Sequence, residues 1–149
     1  MTAPPPGFVQ ALSLAQQGRL AEARGVAQRL LAGHPDNTIL LRFLGDLCAH
    51  AGDLAAAADY LRRAVAGDPE DGRARTALAG ALIQLRAWPE ARAVCAAGTP
   101  PEAFARLTGF IAQSSGEIAE AIRIYEQVLA QAPDDWEIWN NLGNVRRAA

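Results

Sequence analysis

Lysine is absent from the 149 residues of this sequence, and all fourteen basic residues are arginine. A phosphate-binding loop of the Walker type requires a lysine, so the composition excludes that kind of nucleotide site. The net charge of −2 offers no positive field to a phosphate backbone, and we therefore expect no nucleic-acid partner. Arginine without lysine, together with many alanines, is typical of a GC-rich bacterial gene.

Cysteine and histidine are scarce as well, with two residues of each. Cys48 and Cys95 lack the close spacing of a metal site or a redox motif, and two cysteines are too few for a disulfide framework. We expect both to be small core residues. The two histidines are His34, which lies in a proline turn, and His50. The sequence therefore predicts no catalytic residues, no metal site and no cofactor, and we expect the chain not to be an enzyme.

Long apolar runs are also missing. No stretch approaches eighteen uncharged apolar residues, and the opening MTAPPPG lacks the basic region and apolar run of a secretory signal. We therefore expect a cytoplasmic protein with no membrane partner. Half of the residues are nevertheless apolar and a fifth are charged, which excludes a disordered chain, and the length suits one domain with a core.

The chain does contain an internal repeat. Three segments align without a gap: GRLAEARGVAQRLLAGHPDN from Gly18, GDLAAAADYLRRAVAGDPED from Gly52 and GEIAEAIRIYEQVLAQAPDD from Gly116. Gly52 follows Gly18 by 34 residues, and a further 34 reaches Arg86, which begins a weaker copy. A second series, FLGDL from Phe43, then ALAGA, LTGFI and NLGNV, advances by 34, 30 and 34 residues. Such a period is typical of stacked supersecondary units.

Each unit contains two helical patterns, which meet at a short turn around the glycine and end at a proline. In the second unit, apolar residues recur at helical spacing, namely Leu41, Leu44 and Cys48, then Ala57, Leu61 and Ala64. Prolines stand where a helix must end, at Pro35, Pro69 and Pro133. Side chains able to cap the next helix follow two residues later, at Asn37, Asp71 and Asp135.

This pattern resembles the tetratricopeptide repeat family, whose units carry a large residue, Leu-Gly, an aromatic, Ala, a large residue, a small residue and Pro. The second unit matches at Leu41, Leu44, Gly45, Cys48, Ala57, Leu61, Ala64 and Pro69. The fourth unit matches at Gly109, Ala121, Tyr125, Val128 and Pro133.

The resemblance covers residues 8–149 and implies an all-α fold, a right-handed α-solenoid of antiparallel helix pairs. We expect about four full repeats and a terminal half repeat in a single domain over 8–149, after a proline-rich lead over 1–7. The predicted repeats cover about 4–37, 38–71, 72–101 and 102–135, with the half repeat at 136–149.

Two features of the repeats predict local packing. Gly45 in one helix and Ala57 in the next allow two backbones to approach, so a bulky residue at either should cost roughly 1 to 3 kcal/mol by overpacking. In the third unit four residues are missing before Thr108, which is about one helical turn. Its second helix should therefore end near Ala97, and Arg86 occupies the turn usually held by glycine.

In this family the first helices of successive units line a concave face that typically binds an extended peptide or a partner helix. The resemblance therefore implies a protein-interaction module, or scaffold, with a groove formed by residues that point away from the second helices. These groove residues are Arg42, Phe43, Asp46, His50, Arg73, Thr76, Gln84, Arg106, Phe110, Asn140 and Asn144.

Three arginines in the predicted groove come from neighbouring units. An arginine fork can hold a carboxylate or phosphate with two hydrogen bonds, so Arg42, Arg73 and Arg106 favour an acidic or C-terminal carboxylate-bearing peptide. Phe43 and Phe110 could supply apolar anchor surface beside them. Two alternatives stay open: the arginines are solvated surface charges, and Phe43 packs between adjacent helices.

The last fourteen residues, WEIWNNLGNVRRAA, read as the first helix of a fifth unit. With no second helix to cover it, we expect an apolar face that supports self-association, made by Trp136, Trp139, Leu142 and Val145. This helix is either a solvating cap or the point at which a longer protein was cut, and we expect the cut. Similar bacterial repeats are often joined to sulfotransferase-like or glycosyltransferase-like domains, so the recognition part of a larger enzyme is an alternative function.

Overall fold

The computed structural model describes residues 3–149, and all regular structure in that part of the chain is α-helical, which confirms the all-α fold class. The helices are α1 (Phe8–Gln16), α2 (Leu20–Gly33), α3 (Thr38–His50), α4 (Leu54–Gly67), α5 (Gly72–Gln84), α6 (Trp88–Ala96), α7 (Pro101–Ser114), α8 (Ile118–Gln131) and α9 (Trp136–Ala148). None of them combines the length and the apolar composition that crossing a bilayer requires.

Helix contacts divide the chain into two compact units. Unit 1 ends at Leu85 and contains α1 to α5, and unit 2 runs from Arg86 to Ala149 and contains α6 to α9. Within each unit every helix packs against the next one in sequence, because turns of a few residues reverse the chain. In unit 1, α3 also contacts α5, so two first helices lie side by side. The single domain over residues 8–149 stays a prediction.

The core of unit 1 is built around α3. Leu40, Leu41 and Leu44 are at most 2% exposed, and they pack with residues that include Phe8 of α1 and Ala64 of α4. A fully buried leucine contributes about 1.5 to 3 kcal/mol relative to an exposed one. The leucines at helical spacing thus face the core as the sequence predicts.

The core of unit 2 is built around α8, which packs against α7 on one side and α9 on the other. Tyr125 of α8 is fully buried, and Ile138, Leu142 and Val145 of α9 are at most 2% exposed. Most of the apolar side of α9 is therefore buried within unit 2.

The predicted caps are confirmed. The side chains of Asn37, Asp71 and Asp135 accept hydrogen bonds from backbone N–H groups in the first turns of α3, α5 and α9. The turns between the helices of a pair have left-handed backbone at Gly18, Gly52 and Gly116, with φ from 77° to 85°. Arg86 takes the same conformation at φ 57°, so the third repeat keeps the turn without the glycine.

The short second helix of the third repeat is also confirmed. Helix α6 has 9 residues and ends at Ala96, whereas α2, α4 and α8 each have 14. The missing residues before Thr108 thus remove the last turn of α6 and leave the register of the flanking repeats intact.

Two glycines occupy the predicted close-contact position. A Cβ atom on Gly45 would lie 2.5 Å from Cγ of Leu61, and one on Gly109 would lie 2.5 Å from Cε1 of Tyr125. Neither distance is compatible with van der Waals contact, so only glycine allows α3 to approach α4, and α7 to approach α8, this closely. A Cβ on Gly143 of α9 would meet no atom within 4 Å.

Candidate functional site

Seven of the predicted groove residues belong to unit 1. Arg42, Phe43, Asp46 and His50 lie on α3, and Arg73, Thr76 and Gln84 lie on α5. Because α3 and α5 contact each other and both pack against α4, the fold brings these residues to one surface, which we call the unit 1 face. The three α5 residues and His50 are exposed, and the other three are half-buried.

Arg42 is engaged in an ion pair within unit 1. Its Nε atom lies 3.0 Å from Oδ2 of Asp71. The Oδ1 atom of Asp71 accepts hydrogen bonds from the N–H groups of Arg73 and Ala74 at the start of α5. One carboxylate thus caps α5 and holds α3 beside it, so the Arg42 guanidinium is not free for a ligand.

Unit 2 repeats this arrangement. Nη2 of Arg106 lies 2.6 Å from Oδ2 of Asp135, whose Oδ1 accepts a hydrogen bond from the N–H of Ile138 at the start of α9. The Asp135 side chain is 8% exposed, but that of Arg106 is 54% exposed, so its other nitrogens reach solvent. Sequence reasoning missed both pairs, although each arginine precedes its capping aspartate by 29 residues.

Arg73 differs from the other two arginines of the predicted groove. It is exposed on α5 and pairs with no acidic side chain among residues 3–149. Of the three guanidiniums, it is the one that a carboxylate could bind without competition from the protein's own aspartates.

The two phenylalanines of the predicted groove have different environments. The ring of Phe43 packs edge-on against that of Phe8, with centroids 5.2 Å apart and an interplanar angle of 81°. The alternative that Phe43 packs between helices is therefore confirmed. Phe110 on α7 is 43% exposed and keeps the open surface that an anchor needs.

Asp46 has an unusual environment on the unit 1 face. Its carboxylate is half-buried and accepts no hydrogen bond from any residue that the structure describes. Burial raises the pKa of Asp46, Arg42 and His50 nearby lower it, and Asp71 raises it further. His50, one turn later, has its Nδ1 atom 2.8 Å from the backbone oxygen of Asp46.

A cleft of about 770 Å³ adjoins the unit 1 face. Its lining residues are Ala3, Pro4, Thr38, Ile39, Arg42, Asp68, Glu70 and Asp71. Three carboxylates and one guanidinium therefore line this cleft, and of the carboxylates Asp71 is the one paired with Arg42.

In unit 2 the predicted groove residues lie on α7 and α9. A cleft of about 580 Å³ beside Arg106 is lined by residues of α7 and the end of α8, including Ala105, Ile124 and Val128. Asn140 and Asn144 are exposed on α9, where Nη2 of Arg147 donates to Oδ1 of Asn144. This unit thus presents one half-exposed arginine, an exposed phenylalanine and exposed amides.

Three family models described as tetratricopeptide repeat match the chain, at residues 8–72, 49–114 and 101–145. Together they extend over nearly all of its helices. The chain belongs to the tetratricopeptide repeat family. TPR proteins bind protein partners, and the repeats make this chain a protein-interaction scaffold.

Solved TPR structures share the fold at low sequence identity. A tetratricopeptide repeat protein from Parabacteroides merdae matches with a TM-score of 0.81 and 19% identity over 93% of this chain, which spans 56% of that protein. MamA from Desulfovibrio magneticus RS-1, residues 41 to the end, matches at 0.84 and 14% over 98% of this chain and 87% of the other. The pilF protein of Pseudomonas aeruginosa matches at 0.75 and 15% over 93% and 65%. Among curated protein sequences, none matches the chain.

The helix of the fifth TPR unit corrects one prediction. Leu142 and Val145 are 2% and 1% exposed, because they pack against α8, so they are not part of an uncovered face. Trp136 and Trp139 are 77% and 52% exposed. The indole Nε1–H of Trp139 donates to the backbone oxygen of Pro133 at 2.7 Å, which holds that ring against the preceding turn.

The prediction that both cysteines are core residues of the TPR units is confirmed. Cys48 and Cys95 are buried thiols, with 0% and 3% exposure, and burial raises the pKa of the Cys48 thiol. Within residues 3–149 no three His, Cys, Asp or Glu side chains are placed so that they could hold a metal ion together. That the chain is not an enzyme, and the alternative that it serves a larger enzyme, both stay predictions.

Proposed function

We propose that this TPR scaffold binds an extended partner segment on the unit 1 face, with an acidic group of the segment held by arginine. The observation that carries the proposal is the unit 1 face, where neither the Arg73 guanidinium nor the Asp46 carboxylate has a partner among residues 3–149. A guanidinium and a carboxylate that lack protein partners can each be satisfied by a charged group of a bound segment.

The three arginines differ in how available they are to a carboxylate. Arg73 pairs with no acidic side chain of residues 3–149 and can hold a carboxylate through two parallel hydrogen bonds. In unit 2, taken by itself, Arg106 keeps exposed nitrogens although its Nη2 faces Asp135, so this unit can bind a carboxylate of its own. Arg42 contributes least, because its Nε already faces Asp71 in a half-buried pair.

Arg73→Glu should therefore weaken binding of a partner recovered with the wild-type chain by roughly ten- to a hundredfold, since hydrogen bonds to charged groups contribute about 1.5 to 3 kcal/mol. The dissociation constant is measured by calorimetry with purified partner. The matched control is Arg29→Glu, which makes the same charge change at an exposed position of the second helix α2. Equal affinity of the two variants would remove Arg73 from the binding surface.

A second candidate function is self-association through α9, with a second copy of the chain as the occupant. Trp136 and Trp139 lie three residues apart on this helix and expose large apolar rings. The equivalent glycines Gly45 and Gly109 are covered by a second helix, whereas Gly143 has open space around its Cα atom. The side of α9 that carries Gly143 and the two exposed tryptophans is thus open to a second copy.

Trp136→Gln should shift a monomer–dimer equilibrium toward the monomer in sedimentation experiments over rising protein concentration. The indole of Trp136 is 77% exposed, so this change leaves the core of unit 2 intact. Val9→Gln on α1 is the control, because Val9 is also 77% exposed. A wild-type chain that stays monomeric at all concentrations excludes this function.

A further inference from the structure

We infer that the unit 1 face binds a basic side chain, arginine or lysine, of the partner segment against the carboxylate of Asp46. This inference rests on the proposed function, because it specifies a chemical group of the segment that binds to the unit 1 face. The segment then carries a base at Asp46 and an acid at Arg73.

Among residues 3–149, neither of the two potential donors nearest to Asp46 along α3 donates to its carboxylate. Arg42, one turn earlier, directs its Nε toward Asp71 at 3.0 Å. His50, one turn later, has its Nδ1 at 2.8 Å from the backbone oxygen of Asp46, not from the carboxylate. Among the described residues the Asp46 carboxylate thus has no donor, although Asp46 lies in the middle of three polar residues on one side of the helix.

Partial burial makes this arrangement unfavourable in the free protein. A half-buried carboxylate loses part of its hydration, and here no hydrogen bond from residues 3–149 replaces it. The raised pKa of Asp46 has burial as its largest cause, which agrees with the geometry. An ammonium or guanidinium group from a partner would supply both the missing charge and the missing donor.

The neighbouring helix leaves room for such a group. The residue of α5 that is equivalent to Asp46 in the repeat is Gly80, and a Cβ atom there would meet nothing within 4 Å. Ala77, nearly one turn earlier on α5, is also small. The side chain of a bound segment can therefore lie over α5 without displacing any residue of the protein.

The charges around this surface also favour a cation. Asp68, Glu70 and Asp71 line the adjoining cleft together with Arg42, so carboxylates outnumber guanidiniums there. Complementary charge steers a partner toward its surface and fixes its orientation. Arg73 lies at the start of α5, beside this cleft, whereas Asp46 lies in the second half of α3, so a segment with an acid at the first and a base at the second would bind in one direction only.

The test uses the full chain and three acetylated peptides, (Gly-Arg)4, (Gly-Gln)4 and (Gly-Glu)4, titrated while amide NMR signals are followed. We expect (Gly-Arg)4 to shift signals of α3 and α5 around Asp46 saturably, and to bind about tenfold more tightly than (Gly-Gln)4. Asp46→Asn should remove that advantage. Asp59→Asn, which makes the same change at an exposed position of α4, should keep it.

A second readout separates lost binding from lost folding. Asp46→Asn removes an unpaired, partly buried charge, so we expect its Tm to equal or exceed that of the wild type. Equal binding of (Gly-Arg)4 by the wild type and Asp46→Asn overturns the inference. If (Gly-Glu)4 then still depends on Arg73, the proposed function stands without it. If none of the peptides shifts signals of the unit 1 face, the proposed function and this inference both fall.

Discussion

Tyr125→Ala is expected to lower the free energy of unfolding of unit 2 by about 3 to 5 kcal/mol, as is typical of large aromatic deletions in a core. The Tyr125 ring is fully buried, and its edge lies directly over Gly109 of α7. The same side chain contributes to the cluster that holds α9 on α8. Deleting it should therefore leave a cavity where α8 meets its neighbours. Urea titration followed by tryptophan fluorescence measures the loss.

Tyr125→Phe is the matched control, because it removes only the hydroxyl group. That hydroxyl donates to Oε1 of Gln113 at 2.9 Å, so its loss should cost about 1 kcal/mol. Burial raises the pKa of Tyr125 to about 12, so the phenol stays neutral and able to donate through the ordinary range of pH. A cost below 1 kcal/mol for Tyr125→Ala would contradict the central place of this ring in the core.

Gly45→Ala should destabilise unit 1, whereas Gly80→Ala should stabilise it. The new methyl group at Gly45 would lie 2.5 Å from Cγ of Leu61, and overpacking of this kind costs about 1 to 3 kcal/mol. At Gly80 the methyl group meets no atom within 4 Å, and replacing a glycine inside a helix by alanine gains up to about 1 kcal/mol. Thermal unfolding of the two variants beside the wild type measures both effects.

The two variants serve as controls for each other, because both exchange glycine for alanine in the first helix of a repeat. Their expected changes in stability nevertheless have opposite signs. In addition, Leu61→Ala should relieve the clash, so the double variant with Gly45→Ala should lose less stability than the two single changes combined. If the stability losses of the two single variants simply add in the double variant, the Leu61 side chain is not what requires a glycine at position 45.

Much of the fold could be predicted because its determinants are local. Glycine at the turn, proline after the second helix and a capping side chain two residues later act within a few residues of the bonds that they form. The missing residues before Thr108 likewise remove one turn of α6 regardless of what packs on it. The helix boundaries could therefore be predicted directly from the register of the repeat.

The candidate site could be predicted less well, because the role of a polar side chain depends on which atoms from other helices reach it. From the sequence, Arg42 and Arg106 were expected to be available to a carboxylate of a partner. Each instead faces an aspartate that caps the first helix of the following repeat. Leu142 and Val145 looked uncovered, yet they are buried against α8. Both outcomes depend on how neighbouring helices are placed, which periodicity alone does not specify.

By itself the sequence determined the helix-pair repeat, its caps and the shortened α6, because these follow from backbone conformation and from hydrogen bonds between near neighbours. Only the tertiary structure decided which charges are available to a partner. It paired Arg42 with Asp71 because α3 and α5 lie side by side, and within residues 3–149 it gave neither the Asp46 carboxylate nor the Arg73 guanidinium a partner. A side chain is free or engaged according to what packing brings within about 3 Å of it.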